Sequence, residues 1–210
     1  MKCAVSRCVL ASVLLLAAPL AEAVDYWYSG LGLGYGKIEF YPADFSSNGA
    51  AAETIRDADL GFTGALGLQI NKNWAVEVNF IQLGKFSYKY AQGANEQEDV
   101  YEVSGWGGSL LPTIPLTRNL SLFGRLGVLA AQTRTTIRNP APAFNGSISS
   151  IQVSTTSFLS GFGAQYFLNR DFGIRVEYQN LGKVGTSGAC GTCTGRANAQ
   201  FLSASALFPF

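Results

Sequence analysis

The 210-residue chain contains no histidine, one methionine and four cysteines, and only 14% of its residues are charged. Each scarcity excludes something. Without histidine there is no Ser-His-Asp or Cys-His catalytic arrangement, no HExxH motif and no histidine-ligated zinc, because imidazole is the commonest general base and metal ligand near neutral pH. The charge content lies well below the roughly 25% of an average soluble domain. A formal net charge of +1 leaves no basic stripe for holding nucleic acid. Beyond the N-terminal segment no stretch reaches 18 uninterrupted apolar residues, so the sequence offers no transmembrane helix. So apolar a chain must turn its side chains toward a core or toward lipid.

The N-terminus reads as an address. Lys2 and Arg7 make a short positive region, Val9–Leu20 is an apolar run, and Ala21-Glu22-Ala23 is a small-x-small cleavage pattern. This is the layout of a secretory signal peptide, too short for a spanning helix of about 20 residues. Cleavage after Ala23 divides the chain into a leader, 1–23, and a working segment, 24–210. Cys3 and Cys8 leave with the leader.

What is abundant is a period of two. Leu60, Phe62, Leu66, Leu68 and Ile70 alternate with Gly61, Thr63, Ala65, Gly67 and Gln69; Ile174, Val176 and Tyr178 alternate with Arg175, Glu177 and Gln179. Such alternation describes a strand with one apolar face and one small or polar face. Asn71-Lys72-Asn73, Thr117-Arg118-Asn119 and Asn169-Arg170-Asp171 are tight-turn tripeptides. Longer polar stretches separate them, at 41–57, 91–98, 138–150 and 185–196. The strands expected are 26–40, 58–70, 74–90, 99–116, 120–137, 151–168, 172–184 and 197–210. Eight strands with three short turns on one side and four long loops on the other predict an all-β, up-and-down antiparallel barrel.

A soluble barrel of this size would carry many lysines and glutamates outside and its apolar set within. Here the alternates to the apolar set are mostly Gly, Ser, Thr and Ala, which suit the narrow interior of a transmembrane barrel whose large apolar residues face lipid. Aromatics near the strand ends (Trp27, Tyr28, Trp74, Tyr166, Phe172 and Phe208 at the short turns; Tyr35, Phe40, Tyr88, Tyr90 and Tyr101 toward the loops) are expected to form two interfacial girdles. The last strand alternates Leu202, Ala204, Ala206, Phe208 and Phe210. Such an ending resembles the signal read by the outer-membrane insertion machinery of Gram-negative bacteria, with Phe208 and Phe210 as its aromatic positions.

Successive strand signatures carry a family likeness. Trp27-Tyr28-Ser29-Gly30-Leu31-Gly32-Leu33-Gly34-Tyr35, Trp74-Ala75-Val76-Glu77-Val78-Asn79-Phe80, the hairpin from Ile114 to Gly127, and Gly161–Tyr166 followed by Ile174–Gln179 together resemble the small eight-stranded OmpA-like outer-membrane barrels. In the best-known members a lumenal salt-bridge network plugs the barrel, and an exchange of partners is proposed to gate it. Glu77, Arg125, Arg175 and Glu177 match that network. Leu111 stands where a lysine is expected and Gln165 where a glutamate is, so the pair needed for the exchange is lost. The likeness implies a barrel without the peptidoglycan-binding domain that many OmpA proteins append.

Three other features are weighed on their chemistry. Gly30–Gly36 lies within a strand and precedes no helix, so it is no phosphate loop. Cys190-Gly191-Thr192-Cys193 in the last outer loop is expected to be a local disulfide, the usual fate of such a pair in an exported protein; redox and metal-binding roles remain alternatives. Glu96, Glu98, Asp99 and Glu102 make an acidic cluster, read either as a solvated loop or as a holder of divalent cations that bridge lipopolysaccharide. The combined expectation is a monomeric, non-enzymatic outer-membrane barrel with a structural or surface-interaction role. It needs no cofactor or metal, and its partners are outer-membrane lipid, lipopolysaccharide and the insertion machinery. The alternative is a minor porin-like channel for small solutes or ions.

Overall fold

A strand whose two faces differ needs a surface with two different sides, and the chain builds it as a closed sheet. In the computed structural model, residues 26–40, 52–92, 95–138, 148–186 and 194–210 are described. They form β1 (Tyr26–Phe40), β2 (Ala52–Arg56), β3 (Ala58–Asn71), β4 (Trp74–Gln92), β5 (Asn95–Pro115), β6 (Leu120–Arg138), β7 (Ile148–Phe167), β8 (Gly173–Val184) and β9 (Ala197–Pro209). β2 and β3 are two pieces of one barrel strand on either side of Asp57, both hydrogen-bonded to β4. All pairings are antiparallel. The β1–β9 and β4–β5 pairings leave no free edge, so the sheet is a closed eight-stranded barrel.

The three short turns close themselves. Asn71 Oδ1 accepts the Asn73 amide at 2.9 Å, Thr117 Oγ1 accepts the Leu120 amide at 3.0 Å, and Asn169 Oδ1 accepts the Asp171 amide at 2.9 Å. A side-chain oxygen thus mimics the backbone bond of a turn in each tripeptide. At the loop end the strands run further than the sequence suggests, with β4 reaching Gln92 and β5 starting at Asn95. Lys85 faces Glu102 across that hairpin, and opposite charges in register support pairing.

The outer face carries an uninterrupted apolar belt. Leu31, Leu33, Phe62, Val78, Trp106, Leu126, Phe162, Val176 and Leu202 are all exposed. Along β1 the belt runs from Trp27 to Tyr35, which at about 3.4 Å per residue and a tilt near 40° crosses roughly 21 Å. That is close to the ~25 Å apolar band of outer-membrane barrels. Trp27, Trp74, Tyr166 and Phe208 are exposed at its lower edge. Three expected girdle members are elsewhere, and the side chains of Tyr88 and Tyr90 lie outside the described residues. Phe40 packs against the interior apolar cluster, its ring 5.6 Å from that of Tyr101. Tyr28 and Tyr101 point into the barrel and are almost fully buried, because each hydroxyl has a hydrogen-bond partner inside.

The interior departs from the uniformly small and polar lining that the strand patterns predict. In the half near the short turns the polar residues share the lining with Tyr28, Leu111, Phe123 and Leu207. In the loop-side half, Ile38, Ile81, Leu83, Phe86, Val103, Leu129, Leu159, Leu181 and Phe201 are all buried within one apolar cluster. The reason is visible along each strand, where the apolar face changes sides. On β9, Leu202 and Phe208 point out while Ser203 and Ser205 point in; two turns of the pleat earlier, Asn198 and Gln200 face out and Ala199 and Phe201 face in. Inside the hydrocarbon the barrel is inside-out. Beyond it, where water meets the outer face, the ordinary soluble pattern returns. On β4 and β8 the change coincides with register shifts at Gly84 (φ 89°) and Gly182 (φ 70°), the left-handed backbone that a bulge asks of glycine.

Candidate functional site

The lumen is built from rows of large and small residues facing each other across the ladder. Tyr28 pairs with Gly67 and Gly67 with Glu77, so the tyrosine ring lies over the glycine and its hydroxyl donates to Glu77 Oε2 at 2.8 Å. A Cβ on Gly67 would overlap that ring. Arg125 faces Gly161, and Glu177 faces Gly163. Glycine beside Tyr28, Glu77, Arg125 and Glu177 gives a narrow barrel room to hold them.

Glu77 on β4, Arg125 on β6, and Arg175 and Glu177 on β8 come together in this space, each under 5% exposed. Arg125 Nη2 donates to Glu77 Oε1 at 2.5 Å and to Glu177 Oε2 at 3.0 Å, and its Nε donates to Glu177 Oε1. Arg175 Nη1 donates to Glu77 Oε2 at 2.6 Å, and its Nη2 donates to Gln165 Oε1 at 3.0 Å. The Arg175 guanidinium also stacks 4.8 Å from the Phe123 ring centroid and 5.3 Å from that of Tyr28, adding cation–π attraction in a dry setting. Two positive and two negative side chains leave the cluster neutral. Gln165, standing where the family pattern has a glutamate, accepts from Arg175 without adding charge. Leu111, standing where a lysine is expected, packs with Ala75 and Phe123.

Above this polar layer lies the apolar one, and above that the stem of the last outer loop. The Tyr101 hydroxyl lies 3.3 Å from the Val184 carbonyl and 3.2 Å from the Gly195 carbonyl, reaching from β5 across the mouth. Thr135 Oγ1 donates to the Thr194 carbonyl at 3.2 Å, and the Thr186 amide donates to Thr194 Oγ1 at 3.1 Å. Three layers therefore follow one another along the interior: ionic, apolar and loop stem. Sequence reasoning located the first and missed the others. Their signal was the change of apolar face within single strands, as at Gln200 and Phe201.

The remaining sequence-derived sites are placed as follows. Phe208 is exposed and packs against Phe172 at 5.6 Å between ring centroids. Phe210 exchanges backbone hydrogen bonds with Trp27 (2.8 and 3.2 Å) where the barrel closes. Cys190, Cys193 and the leader 1–23 lie outside the described residues. Of the acidic cluster, the side chains of Glu96 and Glu98 lie outside the described residues. Asp99 is buried while Glu102 faces out to Lys85 Nζ at 3.1 Å, and no group of three possible metal ligands occurs among the described residues.

Known proteins share this pattern. The model of the OmpA-like transmembrane domain matches residues 22–210. Outer membrane protein A of Klebsiella pneumoniae is 26% identical over 177 residues, which are 79% of this chain and 46% of that protein. That of Serratia marcescens is 25% identical over 196 residues, 90% of this chain and 52% of that protein. The chain spans about half the length of the curated relatives it matches. Among solved structures, Neisserial surface protein A is 15% identical with a TM-score of 0.49, covering 89% of this chain and 99% of its own. Ail, the attachment invasion locus protein of Yersinia pestis, is 16% identical with a TM-score of 0.47, covering 87% and 99%. A family match over nearly the whole chain, on a closed barrel girdled by a charge-free apolar belt, means that the chain belongs to the OmpA-like transmembrane domain family and resides in the outer membrane of Gram-negative bacteria.

Proposed function

We propose that the chain is a non-conducting, non-enzymatic outer-membrane barrel that acts as a monomer through its outer strands and loops. The observation that carries this reading is the apolar layer above the ion pairs. A gate made only of exchanging charges opens by swapping partners, whereas an apolar layer excludes ions in either ionic arrangement, because desolvating a charge there is prohibitive. The missing lysine at Leu111 and missing glutamate at Gln165 point the same way. In planar bilayers, neither the wild type nor Arg175→Ala is expected to pass sustained current. Phe201→Ala combined with Leu129→Ala and Leu159→Ala is expected to open measurable conductance. Large, stable steps from the wild type would overturn the proposal and leave the minor-pore reading in its place. Residues 1–23 are proposed as the cleaved leader, so N-terminal sequencing of membrane-purified protein should begin at Val24. The terminal strand ending at Phe208 and Phe210 is proposed as the segment presented to the insertion machinery.

A further inference from the structure

One sector of the outer wall, across β4, β5, β6 and β7, changes chemistry rung by rung. From the membrane outward the cross-strand rows are Val78, Gly108, Val128, Phe158; then Phe80, Trp106, Ala130, Thr156; then Gln82, Ser104, Gln132, Ser154; then Lys85, Glu102, Arg134, Gln152. Rows on one face are two residues apart, roughly 7 Å along the strand. Across this sector an exposed surface passes from hydrocarbon to amide and hydroxyl to guanidinium and ammonium.

The same sector is indented. Phe80 and Trp106 begin one row, but Ala130 and Thr156 continue it with small side chains and leave a groove of about 260 Å³ that Ser104 and Ser154 also line. A second hollow of about 190 Å³, lined by Gln82, Glu102, Ser104, Gln132, Arg134 and Gln152, continues it upward. On the opposite wall the corresponding row is Tyr35, Leu202, Tyr178 and Phe162, bulky throughout. Arg134 spends one long contact on Gln152 (3.4 Å), and Gln152 in turn meets Gln132 at 3.4 Å. Most of the guanidinium donors remain available for an anion.

We propose that this sector is a binding site for one phosphorylated glycolipid of the outer leaflet, the lipid A portion of lipopolysaccharide. What covers a lipid-facing groove is lipid, and the three chemistries in order match one molecule. An acyl chain lies in the trough over Ala130, against Phe80 and Trp106. Sugar hydroxyls and amides meet the row of Gln82, Ser104, Gln132 and Ser154. A phosphate takes the bidentate geometry that Arg134 offers, while Lys85, 3.1 Å from Glu102, offsets the charge of that neighbouring carboxylate. The site uses outer-wall residues alone and is independent of whether the lumen conducts.

The test is native mass spectrometry of the folded barrel in detergent, titrated with lipid A, with its dephosphorylated form and with phosphatidylglycerol. The wild type is expected to retain one lipid A. Removing the lipid phosphates, or Arg134→Ala, should weaken retention about tenfold, the loss of one charge-assisted contact. Ala130→Trp, which fills the trough, should do the same, while Lys37→Ala on the opposite wall should have no effect. Equal retention by Arg134→Ala and Ala130→Trp would overturn the proposal. So would equal binding of phosphatidylglycerol, or an equal loss in Lys37→Ala. Unheated gel mobility confirms that each variant is folded, and Arg134→Gln and Ala130→Leu replace any that is not.

Discussion

Arg125→Ala should be the most destabilising single truncation in the ionic layer. Arg125 is 1% exposed and is the one cation that touches both carboxylates, reaching Glu77 at 2.5 Å and Glu177 through two of its nitrogens. Its loss leaves Glu77 still bound to Arg175 at 2.6 Å and to the Tyr28 hydroxyl at 2.8 Å. Glu177 keeps no ion-pair partner among the described residues. Removing one member of a buried pair strands the other charge and typically destabilises by about 3–5 kcal/mol, whereas replacing both members by packed apolar groups is often neutral or better. Arg125→Met with Glu177→Leu should therefore recover most of what Arg125→Ala loses, because nothing charged is left unpaired. Denaturant titration of the folded fraction in lipid vesicles, followed by gel mobility and tryptophan fluorescence, measures both. If Arg125→Ala shifts stability by less than about 1 kcal/mol, the magnitude expected of an exposed pair, or if the double variant is no better than the single, the layer is solvated and the reasoning fails.

Three further outcomes are expected. Gly67→Leu should destabilise the barrel by about 1–3 kcal/mol through overpacking against the Tyr28 ring, and Tyr28→Ala in the same chain should relieve part of it in the same denaturant titration. Tyr101→Phe removes the hydroxyl that spans to Val184 and Gly195, at a loss of about 1 kcal/mol, and should raise hydrogen exchange selectively at 184–186 and 194–196. Protein purified from membranes should have an intact mass two hydrogens lighter than the dithiol form, with Cys190 and Cys193 in one peptide after non-reducing digestion; two free thiols would refute the disulfide.

Under the proposed function, conduction and stability rest on different layers. The ionic layer ties β4, β6 and β8 together through Glu77, Arg125, Arg175 and Glu177, so its loss should be felt in folding. The proposed barrier to ions is the apolar layer, where desolvation is costly, so its loss should be felt in leakage. A barrel of this size has little interior to divide, and this one divides it by height.

The strand count, the antiparallel meander, the three tripeptide turns and the lipid-facing set from Leu31 to Leu202 were legible in the sequence alone. All of them follow from local chemistry: a period of two, side chains able to close a turn, and apolar residues exposed because the solvent there is hydrocarbon. The alternation also put Glu77, Arg125, Arg175 and Glu177 on one face. What it could not supply was which of them meet: Arg125 stands opposite Gly161 and Glu177 opposite Gly163, and the registers of β6 and β8 on β7 bring the two together. Nor could it supply the apolar upper lumen. Period-two alternation states that two faces differ, but which face is the inner one depends on where the membrane ends. Only the closed barrel, with Phe201 turned inward one residue before Leu202 turns out, decided that.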